Sequence, residues 1–373
     1  MTLNPYPLEG MFHYVVLGDG ENVIVDLVKA IEKKNYDFEH PSVLKNAKDR
    51  GQTAVASSLP MEHYIEERTN KITRIEIARG CKASCAFCQI SKVKPYREIP
   101  PVVLKNLIAT APTKNIALFS PDRGSYSQYE KIEEWCKKYG KRNIGTDIRL
   151  RSIEKTSIAS NIRFGIEGFS ERERKLVNKP YTNAGIVNAI KHIVEKVQTP
   201  KGKAITVITW YMIIGLPGQT QDDYAEFRDL LLEIGSKVKP QKKFTIFLTL
   251  NDFLPMPHTK MENDIKEVFE DHYSEWMKYK PNLENITIAQ HGGSQSPSMR
   301  LARLLVSRGG ENSNKALFNL ATNPAYARLM KERGLQPGKK MIALFRRCGV
   351  DTEPLINGYG NRTPWDTIRI CER

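Results

Sequence analysis

The 373-residue chain lacks any run of about eighteen apolar residues, so nothing in it reads as a membrane-spanning helix. Its N-terminus lacks the charged-then-apolar pattern of a secretion signal. Cysteine is scarce: there are six, none before Cys81, and only three stand close together. Such sparseness excludes a secreted disulfide framework and fits a reducing compartment, so the expectation is a soluble cytoplasmic protein without membrane association. Negative charge is also short, 42 Asp/Glu against 57 Lys/Arg, which leaves a formal net charge of +15. The deficit is uneven: residues 1–70 hold 7 Lys/Arg against 11 Asp/Glu, while residues 297–373 hold 14 against 6. A polyanionic partner follows from this balance, nucleic acid and DNA in the first place, with the basic face in the C-terminal part. The plainer reading of the same charge is a solvated lysine-rich surface.

What is present is Cys81-Lys82-Ala83-Ser84-Cys85-Ala86-Phe87-Cys88, entered from Ile75-Glu76-Ile77-Ala78-Arg79-Gly80. Three thiolates at this spacing can each bind one iron of a cubane cluster and leave the fourth iron without a protein ligand. The competing readings are a zinc site and three unreactive thiols. Zinc asks for a fourth ligand and usually pairs its cysteines in two knuckles, whereas Cys136, Cys348 and Cys371 lie far off and form no second knuckle.

From residue 72 onward apolar runs alternate with helical patterns. Ile72–Ile77, Ile116–Phe119, Ile144–Ile148, Ile162–Ile166, Ile205–Ile214 and Phe244–Leu250 read as buried parallel strands. Pro101–Thr110, Ser127–Tyr139, Ser170–Asn178, Asn183–Val197 and Asp222–Gly235 read as helices between them. Six such repeats predict an α/β fold, a partial (β/α)6 barrel at residues 67–280 with chemistry at the C-terminal strand ends. Small extensions flank it: residues 1–66, read as a strand, a tight Gly turn and a helix with Val23, Leu27, Val28 and Ile31 on its apolar face, and a basic extension at 281–373.

The cysteine spacing, the aromatic before the last cysteine and the strand leading in resemble the radical S-adenosylmethionine (SAM) superfamily. The resemblance implies a 4Fe-4S cluster on Cys81, Cys85 and Cys88, with SAM chelating the fourth iron and yielding a 5'-deoxyadenosyl radical. It places Phe87 and Ser120 at the cofactor. Gly165–Lys179 resembles the "IEGxSERxRxxxxK" stretch of the cobalamin-type and methylthiotransferase-type enzymes, which implies SAM contact for Glu167, Arg174 and Lys179. The segment Ile213-Ile214-Gly215-Leu216-Pro217-Gly218-Gln219-Thr220 resembles that group's "IIGLPGET" turn, with Gln219 for Glu, and implies adenine packing at Gly215 and Pro217. Thr220 can cap the helix that follows. The loop Asn251–Thr259 resembles the group's sixth-strand loop, and His258 in it is the candidate general acid or base; the plainer reading is a solvated loop histidine. The closing Thr363-Pro364-Trp365-Asp366 resembles the group's "LPWD" end.

Residues 1–66 resemble a remnant of the cobalamin-binding domain of that group, yet the chain has no Asp-x-His-x-x-Gly motif, so no cobalamin is expected. With no cysteine before Cys81, the second cluster of methylthiotransferases has no ligands here. What remains is chemistry that needs one cluster, SAM and an electron donor such as flavodoxin or ferredoxin. Combined with the basic balance, the expectation is an isomerase-type rearrangement of a modified nucleobase, for example an amino-acid-bearing thymine in bacteriophage DNA. The alternatives are radical modification of a peptide or small metabolite, and a non-enzymatic nucleic-acid-binding Fe-S protein.

Overall fold

Two parallel sheets, each in sequence order, carry the strands that the apolar runs announce. The structure, a computed structural model, describes residues 3–56, 59–65, 71–144, 149–153, 161–197, 207–239, 244–265, 270–292, 296–332, 335–360 and 362–371. In the first sheet β1 (Ile72–Glu76), β2 (Asn115–Phe119) and β3 (Arg142–Asn143) run parallel, and Tyr64–Ile65 adds antiparallel to the free edge of β1. In the second, β4 (Asn161–Glu167), β5 (Val207–Ile214), β6 (Phe244–Asp252) and β7 (Ile286–Gly292) run parallel. Of the expected strand Ile144–Ile148, residues 145–148, Asp147 among them, lie outside the described residues, as do 205 and 206 of the fifth. Strand β7 comes from the stretch assigned to the C-terminal extension.

Helices Pro101–Thr110, Ile132–Lys138, Asn183–Val197, Gln221–Lys237 and His272–Tyr279 return the chain from one strand to the next. Their apolar faces cover one side of each sheet. On β5 and β6 the buried residues alternate: Ile208, Trp210 and Met212, then Phe244, Ile246, Leu248 and Leu250, all in one core with Ile186, Ile190, Phe227, Leu231 and Trp276. The residues between them, such as Thr209, Tyr211, Phe247 and Thr249, are half-buried on the opposite, inward face. Period two thus leaves a polar and aromatic lumen inside an apolar shell.

The flanking segments are joined to each other. Val15–Val16 pairs antiparallel with Val43–Leu44, and Ile368–Arg369 returns from the far end of the chain to pair with Gly51–Gln52. Leu17, Leu44 and Ile368 form their common core. The helix Glu21–Glu32 buries Val23, Leu27 and Ala30, whereas Val28 and Ile31, expected on its inner face, are exposed together with Ile24 and Val25. The C-terminal helices Pro297–Arg308, Ser313–Thr322 and Leu335–Arg347 pack through Leu301, Leu304, Leu305, Leu320, Met341 and Phe345.

Candidate active site

The cysteine loop leaves the C-terminal end of β1. Ala78–Arg79 pairs antiparallel with Arg97–Glu98, so the chain between them closes on itself. Gly80 at the neck has φ +76°, and a Cβ there would lie 2.4 Å from the carbonyl oxygen of Pro95, so only glycine fits the closure. Cys81 and Cys85 are buried and Cys88 is half-buried. Burial pushes the Cys88 thiol up, with the nearby Cys85 and Cys81 adding to it. The loop is anchored to the segments that follow two later strands: the Ala86 N–H donates to Val177 O at 3.1 Å, Asn178 Nδ2 to Ser84 O at 2.9 Å, and Gln89 Nε2 to Pro257 O at 2.8 Å. Phe87 packs against Val177, Ile213, Leu216, Phe253 and Met261, which walls the loop from that side.

A positive environment surrounds the thiols. Arg149 donates from Nη2 to Cys81 Sγ at 3.3 Å, and its Nε lies 2.8 Å from Asp122 Oδ2, which fixes the guanidinium plane. Both Cys81 and Cys85 act electrostatically on Arg149, and Cys85 on Lys179. Among the described residues no set of three His, Cys, Asp or Glu side chains converges on one point as a single metal ion needs. Cubane thiolates each take a different iron and need no common point, so the clustered thiols, the cationic surround and the glycine neck fit an iron-sulfur cluster.

Beside the loop lies a cavity of about 370 Å³ lined by Ser120, Asp122, Arg149, Arg163, Glu167, Lys179 and Tyr211 among others. Arg163 and Gly165 share the inward face of β4, with Thr209 and Tyr211 as their partners on β5; the register then shifts between Gly165 and Glu167, and Glu167 lines the cavity from beyond that irregularity. Glu167, at φ +69°, is buried and pairs with Lys179 Nζ at 2.7 Å. Burial pulls the Lys179 ammonium down, but the Glu167 carboxylate holds it above its ordinary value. Ser120 Oγ is buried without a hydrogen-bond partner at the cavity wall. Ser120 and Pro121 also line a second, open cavity of about 750 Å³, to which Gly18, Asp19, Glu21 and Ile24 of the N-terminal segment contribute as well. Asp19 there meets Arg79 at 3.2 Å, Lys94 at 3.0 Å and Arg97 at 2.6 Å. Although burial opposes it, hydrogen bonds from Arg97 and Lys94 hold the Asp19 carboxyl down at about 2.

Of the residues named from the sequence, the structure brings Ser120, Glu167 and Lys179 to the cavity and Phe87 to the wall of the cysteine loop. Arg174 goes elsewhere. Its fully buried guanidinium donates to Tyr181 O at 2.7 Å, Gly168 O at 3.2 Å and Phe169 O at 3.1 Å, so it stitches the turn after β4 instead of facing a ligand. His258 is not part of the lining either: its N–H donates to Glu262 Oε2 at 2.8 Å, and burial lowers its imidazole pKa. Gly215 adopts φ +77°, where a Cβ would meet His272 Cδ2 at 3.1 Å, and Pro217 follows in the same turn. Thr220 begins the next helix with its N–H donated to Asp223 Oδ2 at 2.8 Å.

Gln219 finds its reason here: Nε2 donates to Glu173 Oε1 at 2.8 Å, while its own Oε1 accepts the Gly215 N–H at 2.7 Å and the Tyr224 hydroxyl at 2.8 Å. Glu173 is fully buried, and desolvation pushes it up to about 8. A glutamate at 219 would set a second carboxylate against it. Sequence reasoning missed Asp122, Arg163 and Tyr211 as cavity residues. The alternation that buries Ile162 and Phe164 on the outer side puts Arg163 inward, so that signal was available; the pairing of Asp122 with Arg149 across the chain was not.

Residues 75–231 match the family described as the Radical SAM superfamily. The chain is 22% identical over 365 residues to an uncharacterised protein of Methanocaldococcus jannaschii, covering 93% of this chain and 77% of that one. It is 22% identical over 254 residues to the tRNA-2-methylthio-N(6)-dimethylallyladenosine synthase of Akkermansia muciniphila, covering 56% and 54%. To the ribosomal protein uS12 methylthiotransferase RimO of Chlamydia felis it is 24% identical over 251 residues, covering 61% and 50%. The chain therefore spans about half the length of these two enzymes. Among solved structures, the radical SAM methyltransferase TsrM from Kitasatospora setae, bound to tryptophan and a SAM analog, superposes with TM-score 0.48 at 12% identity, covering 70% of this chain and 56% of that one. The cobalamin-dependent radical SAM enzyme OxsB superposes with TM-score 0.42 at 13% identity, covering 90% and 55%.

Proposed function

Residues 75–231 are a radical SAM domain, and from that premise we propose that the protein uses SAM to abstract a hydrogen atom from a nucleobase substituent in a nucleic acid and so rearranges it. The observation that carries the reading is the juxtaposition of the cysteine loop with a lumen cavity lined by Ser120, Arg149, Glu167 and Lys179. When bound, a 4Fe-4S cluster and SAM supply the one-electron cleavage that produces the hydrogen-abstracting radical.

Cys81, Cys85 and Cys88 would hold the cluster. Arg149 donates a hydrogen bond to the Cys81 sulfur, which draws electron density from it and favours the reduced state. Glu167 and Lys179 present a fixed pair of charges to a zwitterionic ligand, and Ser120 offers a hydroxyl with no protein partner. Phe87 and its apolar neighbours keep water from the loop. The electron donor in this reading is a flavodoxin or ferredoxin. It includes no cobalamin, in line with the missing Asp-x-His-x-x-Gly sequence.

The nucleic-acid part rests on the net charge of +15 and on relatives whose names specify a tRNA adenosine derivative. The basic C-terminal part is less uniform than its sequence suggests. Arg300 and Arg308 are buried: Arg300 donates to Glu270 O at 2.9 Å, and Arg308 to the carbonyls of Pro255 and Glu262 beneath the rings of Tyr359 and Trp365. Arg303, Lys315, Arg328, Lys331, Lys339, Lys340, Arg346 and Arg347 remain exposed. Radical modification of a peptide is the second reading, favoured by the resemblance to RimO. No helix among the described residues is long and apolar enough to cross a membrane, and a cytoplasmic site of action belongs to the same proposal.

The test incubates anaerobically reconstituted protein with SAM, a reductant and either phage DNA, tRNA or peptide mixtures, followed by mass spectrometry of the digests. A nucleoside changed in structure without a methyl or methylthio gain supports the rearrangement. Absence of SAM cleavage under every condition sinks the enzymatic reading, and a changed peptide with unchanged nucleosides moves the activity to the second.

A further inference from the structure

Far along the chain from the cysteine loop, helix Ser313–Thr322, the turn Glu9–Met11 and the end of helix Leu335–Arg347 line a third, open cavity of about 600 Å³. Phe318 stands in it 64% exposed and Met11 42% exposed, although the same helix has an ordinary apolar face through Ala316 and Leu320. Two exposed cations, Lys315 and Arg347, line the same cavity as the ring. One guanidinium nitrogen of Arg347 is held by the Tyr326 hydroxyl at 3.2 Å, which limits where the charge can swing. The turn is built to this shape: Gly10 has φ +70°, and Asn314 Nδ2 donates to Glu9 O at 2.8 Å. The Glu9 side chain is the one acidic group in the lining.

We propose that this cavity is a stacking subsite for single-stranded nucleic acid, in which one base lies on Phe318 and Met11 while neighbouring phosphates meet Lys315 and Arg347. The inference rests on the nucleic-acid reading above and deepens it by placing part of the polymer away from the lumen. An aromatic face sharing a cavity with cations is the arrangement that single strands select, because every base has a stacking face and every linkage a negative charge. A duplex keeps its base faces inside the stack and would leave the exposed ring unused. A second copy of this chain is the poorer occupant, since it would bring a molecule of net charge +15 against the same sign.

The test measures fluorescence anisotropy of short fluorescein-labelled single-stranded DNA and RNA with the full-length reconstituted protein. Phe318→Ala should weaken binding about tenfold or more and Phe318→Leu nearly as much, while Phe318→Trp should retain it. The double variant Lys315→Ala/Arg347→Ala should flatten the slope of log affinity against log salt by about 1.4, the amount expected for two phosphates on a single strand. Lys191→Ala/Lys237→Ala, on exposed outer helices of the barrel, should leave both quantities unchanged. These side chains are exposed, and circular dichroism of each variant verifies that it folds. Parallel DNA and RNA series show which backbone the subsite prefers. Wild-type binding that Phe318→Ala and Phe318→Leu leave unchanged overturns the subsite but not the nucleic-acid reading. No wild-type binding at low salt overturns both. Self-association in sedimentation that disappears in Phe318→Ala overturns the subsite in favour of a dimer contact.

Discussion

Lys179 Nζ lies 2.7 Å from Glu167 Oε1, and both side chains are largely enclosed at the wall of the lumen cavity. The pair joins the end of β4 to the turn after its helix, and neither charge has bulk water to fall back on. Glu167→Gln should therefore leave a buried ammonium uncompensated and cost about 3–5 kcal/mol of stability. Glu167→Gln/Lys179→Met should recover most of that loss in chemical denaturation. SAM affinity, measured by equilibrium binding to the reconstituted protein, should fall about tenfold in Glu167→Gln with iron content unchanged. An unchanged SAM affinity would make the pair purely structural.

Gly165 tests the same pair without touching its charges. A Cβ at this position would lie 2.1 Å from Glu167 Oε1 and 2.8 Å from Lys179 Nζ, so Gly165→Ala must push the pair apart. The expected outcome is weakened SAM binding with a normal cluster absorbance, and retained SAM binding would show that the pair can move without consequence.

Glu173 makes stability pH-dependent. Its carboxyl is raised to about 8 in the folded protein, so between about 4.5 and about 8 the native state holds a proton that the unfolded chain has released. Stability should then fall as pH rises through that window, by up to about 1.4 kcal/mol per pH unit from this group, and level off above it. In Glu173→Gln this part of the slope should vanish in denaturant titrations across the window. Gln219→Glu should steepen the decline, because it sets a second carboxylate against the first.

Asp19 acts in the opposite sense. Its folded value of about 2 lies below that of an unfolded aspartate, so its contribution, about 2 kcal/mol, is fully present above about pH 4 and is lost as pH falls towards 2. Asp19→Asn should loosen the N-terminal segment from Arg79, Lys94 and Arg97 at neutral pH. Amide exchange in Glu21–Glu32 should accelerate while exchange in β5 and β6 stays slow.

The six cysteines should divide cleanly. Cys81→Ala, Cys85→Ala and Cys88→Ala should each abolish the cluster absorbance and SAM cleavage. Cys136→Ala should keep both, since Cys136 sits on the buried face of helix Ile132–Lys138, and its thiol is pushed up to about 12 by desolvation. Alkylation of the native protein near pH 8 should accordingly spare Cys136, and cluster loss on its replacement would contradict this division.

Local pattern determined a large part of this protein. Cysteine spacing needs no partner to be legible, and period two or period 3.6 marks strands and helices within a few residues, as at Pro101–Thr110 and Asn183–Val197. Glu167 was legible as a carboxylate on a buried strand, which must find a partner; Lys179 is that partner.

The tertiary structure decided which charged groups meet solvent and which meet the chain. Nothing local distinguishes Arg174, whose donors go to the carbonyls of Gly168, Phe169 and Tyr181, from the exposed Arg172 two residues earlier. Nothing local shows that Arg308 is sealed beneath Tyr359 and Trp365 while Arg347 stays exposed beside Phe318. Nor does it show that Ile368–Arg369 crosses back to Gly51–Gln52, joining the two ends of the chain. Burial and pairing between residues distant in sequence depend on how finished elements pack. The sequence carries the chemistry of each side chain, and only packing assigns it a neighbour.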